Sequence, residues 1–278
     1  MFLRFRAPAA ALPLLALLPL GACATPRAGG LEVAEADRWE ATNRKVYAFN
    51  KRVDKYALRP AAKTYRTVVP IAARHGVTNV YNTYNEPLNF LNDLLQGKIS
   101  KAFRSVDRFL INATIGVGGL SDNATDLGRP EEPEDWGQTF AHWGIKSGPY
   151  VMLPLFGPST LRDSFGLGFD FVLNPADFAR DAAFSPSIFW RAGQISLRLV
   201  NLRARISDQG GDALLAGSLD EYTLVKSAYL QSRKNAIWDG NAPYDPSEDG
   251  SEELPADAPA PADAPAATPA PVAPPPPQ

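Results

Sequence analysis

The chain has 278 residues, 45% of them hydrophobic, with 28 basic and 30 acidic residues and a formal net charge of −2. A single cysteine excludes an intrachain disulfide and a cysteine-based metal cluster, and the near-neutral balance says nothing in favour of nucleic acid. With the two ends set aside, roughly 200 residues remain, which suits one domain with a full core.

The N-terminus reads as a targeting segment, residues 1–22. Arg4 and Arg6 form a short basic region, and Ala7 to Leu20 is an uncharged Ala/Leu/Pro run too short to span a bilayer and broken by Pro8, Pro13 and Pro19. It ends in Leu20-Gly21-Ala22-Cys23, the lipobox pattern of bacterial lipoprotein precursors: an aliphatic residue, two small ones, then cysteine. Cys23 is thus expected to become the mature amino terminus and to carry a diacylglyceryl group. Two or more acyl chains anchor stably at about 0.8 kcal/mol per buried methylene. Ala24 follows where an aspartate would signal inner-membrane retention, so outer-membrane sorting is expected. Residues 23–36 are read as a lipidated linker.

Helical periodicity dominates residues 37–240. Trp39, Val46, Phe49, Val53 and Tyr56 fall on one face of a helix over Asp37 to Leu58, which Pro60 is expected to end. Pro70 starts a second helix through about Asn82, and Pro87 opens a third, closed by Gly97. Ile99, Phe103, Val106 and Leu110 mark a fourth. Ser187 to Ile206 reads as a long helix, and Ser218 to Asn235 as the last, with Ser218 and Glu221 at capping-box spacing. Strand signals are scarce.

Two connections are apolar where loops are usually polar: Phe109 to Ser121 (FLINATIGVGGLS) and Ser147 to Asp163 (SGPYVMLPLFGPSTLRD). The uncharged part of the second, Ser147 to Leu161, would reach only about 22 Å as a helix, short of the roughly 30 Å hydrocarbon core. Buried irregular backbone needs hydrogen-bond partners, and inside a bilayer it persists only against protein or a wet cavity. Two readings stay open: ordinary core loops, or a protein lying in the membrane plane around a cavity. In the second, Tyr150, Val151, Leu153, Leu155 and Phe156 contact lipid or a channel wall on irregular backbone, and Thr160 caps the following helix.

Nothing here builds an enzyme. His75 and His142 stand without a metal-ligand spacing, and neither a nucleophile elbow nor a phosphate-binding glycine loop occurs. No catalytic residue, metal site or cofactor is expected. The acidic run RPEEPEDW (Arg129 to Trp136) lacks calcium-ligand spacing and reads as a solvated loop. Arg191, Arg198 and Arg205 recur every seven residues on one helix face: either a cationic stripe for lipid phosphates or the water-facing side of an amphipathic helix. From Asn241 to Gln278 there are seven acids and no Lys or Arg, and ten prolines lie after Gly250, so residues 241–278 read as a disordered acidic Ala/Pro-rich tail. Without that tail and the two signal arginines the chain is mildly basic.

The motifs WEATNRKVYAFN, LRPAAKTYRTVVP, GVTNVYNTYNEPLNFLNDLLQG, RFLINATIGVGGLSD and EDWGQTFAHWGIKSGPYVMLPLFGPSTLRD, in this order from about Arg38 to Ile237, resemble those of the MlaA/VacJ lipoproteins. The resemblance implies a mainly α, monotopic, ring-like helical domain in the inner leaflet of a Gram-negative outer membrane. It implies removal of mislocalised phospholipids from the outer leaflet through an amphipathic channel, transfer to a soluble periplasmic lipid carrier, and association with a trimeric porin. Ile115, Gly116, Val117, Gly118, Gly119 and Leu120 would then be the channel hairpin, its glycines supplying flexibility, and Gly119→Asp would alter transport without disturbing the fold. The rival reading is a porin-associated adaptor without transport activity of its own.

Overall fold

The computed structural model describes residues 37–243. The signal segment, Cys23, the linker before residue 37 and the tail from residue 244 lie outside the described residues. The elements below belong to one compact unit that ends at Gly240.

α1 (Glu40–Val53) runs through a π-helical turn, Asp54–Leu58, into α2 (Arg59–Val68). Pro60 therefore does not end the first helix. A proline lacks an N–H and its ring crowds the carbonyl four residues back. The wider i→i+5 turn just before it, in which the Arg59 N–H reaches Asp54 O, re-phases the ladder so that Pro60 falls in the first turn of α2, where no donor is needed. Pro70 caps α3 (Ile71–Leu95), which continues through Pro87 instead of breaking there. Gly97, at φ +73°, closes α3 as the sequence suggests, with Lys98 N donating to Asp93 O at 2.8 Å. α4 (Ile99–Thr114) packs along α3, and α5 (Asn123–Asp126) and α6 (Trp136–His142) follow, each capped by the aspartate before it.

The stretch from Ser147 to Asp163 is not irregular. β1 (Tyr150–Leu153) pairs antiparallel with β2 (Gly157–Thr160), Tyr150 opposite Thr160 and Leu153 opposite Gly157. The outer edge of β1 is satisfied by α1. Asn43 Nδ2 donates to Tyr150 O (3.0 Å) while Asn43 Oδ1 accepts from Met152 N (2.9 Å). Asn50, two turns on, repeats the pattern with Leu153 O (2.9 Å) and Leu155 N (2.8 Å). Two side-chain amides thus stand in for a neighbouring strand and answer the backbone groups of an apolar segment. The alternation then sorts the side chains: Tyr150 and Met152 are buried against Tyr222, Tyr47 and Tyr229, while Leu155 and Phe156 are exposed at the tip.

Thr160 caps α7 (Leu161–Leu173), its hydroxyl accepting from Asp163 N. α8 (Pro175–Phe184), α9 (Ile188–Asp208), α10 (Gly211–Ala216) and α11 (Glu221–Ile237) complete the chain. Ser187 caps α9, but α11 is capped by Asp220, not Ser218. The proposed capping box fails because Glu221 turns away to Lys51 Nζ (2.6 Å) and Tyr47 Oη (3.1 Å) on α1.

Candidate functional site

The distribution of polarity is reversed. Nine hydrophobic residues are buried, three of them alanines other than Ala204, against 21 buried polar or charged ones, while 35 large hydrophobics are exposed among the described residues. Exposed apolar atoms are normal on any protein, but buried polar groups outnumbering buried apolar ones are not. α4 shows how this arises. Its predicted apolar positions Ile99, Phe103 and Leu110 face outward, and the face against α3 is Ala102, Ser105, Arg108 and Asn112. The helical period was correctly legible; the side it buries is the polar one. α7 to α9 extend the outer apolar surface with Phe165, Phe171, Phe178, Phe184, Phe189 and Trp190.

The inward polar groups are answered by one another. Arg108 and Glu86, 2% and 1% exposed, meet at 2.6 Å. Arg108 also donates to Thr125 Oγ1 (3.0 Å) and Arg129 O (2.5 Å). Arg233 on α11 bridges Asp135 (2.6 Å) and Asp163 (3.0 Å). The acidic run before α6 is therefore not a solvated loop. Glu131 accepts from Asn82 (2.6 Å), Glu132 pairs with Arg104, Glu134 accepts from Gln96 (2.9 Å) and Lys98 (3.1 Å), and Asp135 takes Arg233, so all four acids tie the segment to its surroundings.

Asp93 is an exception among the buried carboxylates. It is 1% exposed, Ser105 Oγ donates to its Oδ2 at 3.1 Å, and its Oδ1 has no partner. Burial, and next the nearby Glu134, push its carboxyl up to about 7. A folded-state value above the unfolded one means the native chain binds this proton more tightly. The stabilisation is full below pH about 4 and is lost as pH rises through about 7. Asp93→Asn should remove that loss. Between pH 4.5 and 7.5 the variant should lose about 2–4 kcal/mol less unfolding free energy than the parent. Equal pH slopes in urea titrations of the two chains would show that Asp93 does not titrate in this window.

The eight-residue connection between α4 and α5 is held tightly. Gly119 N donates to Asn112 O (2.8 Å), Gly118 N to Ala113 O (3.1 Å) and Ser121 N to Gly116 O (3.0 Å). Ile115, Val117 and Leu120 project from it, exposed. Its glycines serve close approach more than flexibility. A Cβ on Gly116 would lie 2.4 Å from both Asn112 O and Ser121 O, and one on Gly119, at φ +88°, 2.8 Å from Thr83 Oγ1. The expectation that Gly119→Asp spares the fold is accordingly withdrawn, since Thr83 occupies the space an aspartate would need. Among the hairpin residues, Tyr150 is fully buried and belongs to the core; Val151 and Leu153 are half-buried, leaving Leu155 and Phe156 exposed.

The three arginines of the heptad are all exposed. α9 presents Ile188, Ile195 and Leu202 outward, while Gln194, Arg198 and Asn201 meet residues of α3. Tyr81 Oη donates to Gln194 O (2.6 Å), and Asn201 binds Thr78 (2.8 Å) and Tyr65 (3.1 Å). Arg191 is paired with Asp181 at 2.5 Å. Arg198 sits 5.9 Å from the centre of the Tyr81 ring. Asn82 Nδ2 holds Glu131 at 2.6 Å, and Trp136 N holds Asp170 at 3.1 Å. Sequence reasoning missed Asn82, Glu131 and Asp170, as well as Asn43 and Asn50; the seven-residue Asn spacing was visible but carries no meaning until β1 is placed beside it.

No helix among the described residues is long and apolar enough to cross a membrane, and no group of three or more potential metal ligands occurs among them. The chain is 35% identical over 206 residues to the intermembrane phospholipid transport system lipoprotein MlaA of Escherichia coli (strain K12), covering 70% of this chain and 76% of that protein. It is 30% identical over 251 residues to the protein of the same name from Haemophilus influenzae (strain Rd), covering 88% and 94%. A solved structure described as "Structural basis for maintenance of bacterial outer membrane lipid asymmetry" superimposes with a TM-score of 0.63 at 34% identity, over 73% of this chain and 99% of that one. The family model for MlaA lipoprotein matches residues 35–236, from just ahead of α1 into the last turn of α11, and this chain belongs to the MlaA lipoprotein family.

Proposed function

We propose that this protein is an outer-membrane lipoprotein that takes phospholipids out of the outer leaflet and passes them toward the periplasm, so maintaining lipid asymmetry. The observation that carries the reading is the reversed polarity: an apolar exterior suited to acyl chains around a polar interior suited to head groups. A charged head group crossing hydrocarbon unaided meets a cost of several kcal/mol, and a polar path through protein lowers it without any bond being made or broken. Cys23 supplies the acyl anchor and the apolar faces of α4 and α7 to α9 lie in the inner leaflet. A soluble periplasmic carrier receives the lipid, and a trimeric porin is the neighbouring partner. The relatives named for phospholipid transport support this reading.

A deletion strain tests it. Outer-leaflet phospholipid should accumulate and be cleared by the restored gene; altered porin assembly with no phospholipid change would instead make the protein an adaptor. The in-plane placement has its own test. The full chain carrying Cys23→Ser, deprived of its acyl anchor, is expected to float with phospholipid vesicles. Adding Phe189→Asp and Trp190→Asp, each placing a charge where hydrocarbon is proposed, should weaken flotation tenfold or more, since a buried charge costs about 2.5–3.5 kcal/mol at mid-bilayer and less near the interface. A Cys23→Ser chain that stays wholly in the aqueous fraction would remove the in-plane reading.

A further inference from the structure

The outer face of α1 and α2 carries cations that no acid answers. From Arg44 to Arg66 there are eight Lys and Arg residues against one acid, Asp54, which is drawn away to Arg203 at 2.5 Å. Four of the eight meet carboxylates farther along the chain: Arg44 meets Asp220 (2.6 Å), Lys51 Glu221 (2.6 Å), Arg59 Asp212 (3.1 Å) and Arg66 Asp208 (2.7 Å). The other four, Lys45, Arg52, Lys55 and Lys63, are exposed and form no ion pair among the described residues. Aromatic rings stand between them. Lys45, Phe49, Arg52 and Tyr56 follow at spacings of four, three and four, which keeps them on one side of the helix. Asn43 and Asn50 point the other way, to β1. Phe49 is 48% and Tyr56 73% exposed, and the Lys55 ammonium lies 5.4 Å from the centre of the Tyr56 ring. The exposed hairpin tip adjoins this helix: Leu155 N donates to Asn50, the residue after Phe49, and Phe156 stacks at 5.8 Å on the exposed Phe171.

Water answers such charges but leaves Phe49, Tyr56 and the hairpin tip hydrated. Lysine is depleted at protein–protein interfaces, and three of the four unpaired cations are lysines. A head-group layer accommodates both kinds of residue, since aromatic rings settle at the membrane–water interface and long basic side chains reach from it to the phosphates. We propose that the face from Lys45 to Lys63 lies at the head-group level of the leaflet and binds anionic phospholipid there, in preference to zwitterionic lipid. The four cations supply the preference, because each basic residue near an anionic surface adds attraction that salt screens. Phe49, Tyr56 and the hairpin tip supply the part of the binding that is blind to lipid charge. The inference rests on the in-plane placement proposed above, and it adds a polar level to it: α1 and α2 among the head groups, the apolar faces of α4 and α7 to α9 in the hydrocarbon.

The test is flotation of the full Cys23→Ser chain with phosphatidylcholine vesicles, with and without about one-third phosphatidylglycerol. Binding should be about tenfold or more tighter with phosphatidylglycerol at low salt, and most of that advantage should vanish at high salt. The variant Lys45→Gln, Arg52→Gln, Lys55→Gln, Lys63→Gln should lose the advantage and still float with phosphatidylcholine alone. Lys45→Arg, Lys55→Arg, Lys63→Arg should keep it, because the charge is retained. Unchanged circular dichroism of both variants would show that the difference is not misfolding. Equal binding to the two vesicles, or an advantage that survives the glutamine variant, overturns the proposal and leaves the in-plane reading standing. A Cys23→Ser chain that floats with neither vesicle overturns both. In cells, a photo-crosslinking residue at Ala48, exposed on the same face, should yield phospholipid adducts. A protein adduct in their place would assign the face to an acidic protein partner and overturn the lipid assignment.

Discussion

Arg108→Met is expected to destabilise the domain by about 3–5 kcal/mol, because it leaves the Glu86 carboxylate buried without its cation. Glu86 is 1% exposed and its remaining partner is Asn89 Nδ2 at 3.1 Å. Burial already raises the Glu86 pKa despite Arg108, so removing the guanidinium should raise it further. Glu86→Gln should cost less than Arg108→Met, since the amide can still accept from Arg108 while the arginine keeps Asp122 at 3.3 Å and the carbonyl of Arg129. The double variant Glu86→Leu, Arg108→Met should recover only part of the loss. In many proteins a buried pair replaced by apolar residues is nearly neutral. Here Arg108 also serves Thr125 and the Arg129 carbonyl, which would be left unanswered. Unfolding followed by circular dichroism in detergent, read as a double-mutant cycle, should give a coupling of a few kcal/mol between the two positions. Additive losses would mean that Glu86 and Arg108 do not act as a pair.

That network explains why the sequence displayed its helices but not their orientation. Periodicity located α3, α4, α9 and α11, and local chemistry located Gly97, Ser187 and Thr160 at their ends, because these signals depend on residues only a few positions apart. Which face turns inward depends on the solvent. For a domain surrounded by water Ile99, Phe103 and Leu110 would be expected to form the buried side of α4; in the structure Ser105, Arg108 and Asn112 do. The hairpin was hidden for a related reason. Tyr150 to Leu153 has only one β-branched residue, and its edge is completed by Asn43 and Asn50 from a helix more than a hundred positions earlier. Pro60 and Pro87 misled in the same direction, since a π-turn and the packing of α3 on α4 outweigh a rule that treats each helix alone.

Within the connection after α4, alanine substitutions should separate close approach from backbone conformation. Gly118→Ala meets no atom within 4 Å but must hold φ near +70°, which costs an L-residue about 1–2 kcal/mol. Gly119→Ala adds contact with Thr83, whose side chain can give way, so its cost should be somewhat larger. Gly116→Ala should be the most damaging, at about 3 kcal/mol or more. Its Cβ would press on two backbone oxygens, and moving them breaks the bonds from Gly119 N to Asn112 O and from Ser121 N to Gly116 O that close the loop. Val117 tests the opposite case. It is 71% exposed and sits at φ +53°, a strained conformation for a β-branched residue. Val117→Asn, which tolerates that conformation, should raise stability by about 1 kcal/mol. If the exposed apolar side chain meets lipid, the same variant should clear outer-leaflet phospholipid less well than the parent. A variant that is both more stable and fully active would show that the strain at Val117 has no part in transport, and that the function of this loop resides in the neighbouring Ile115 and Leu120 or in its backbone.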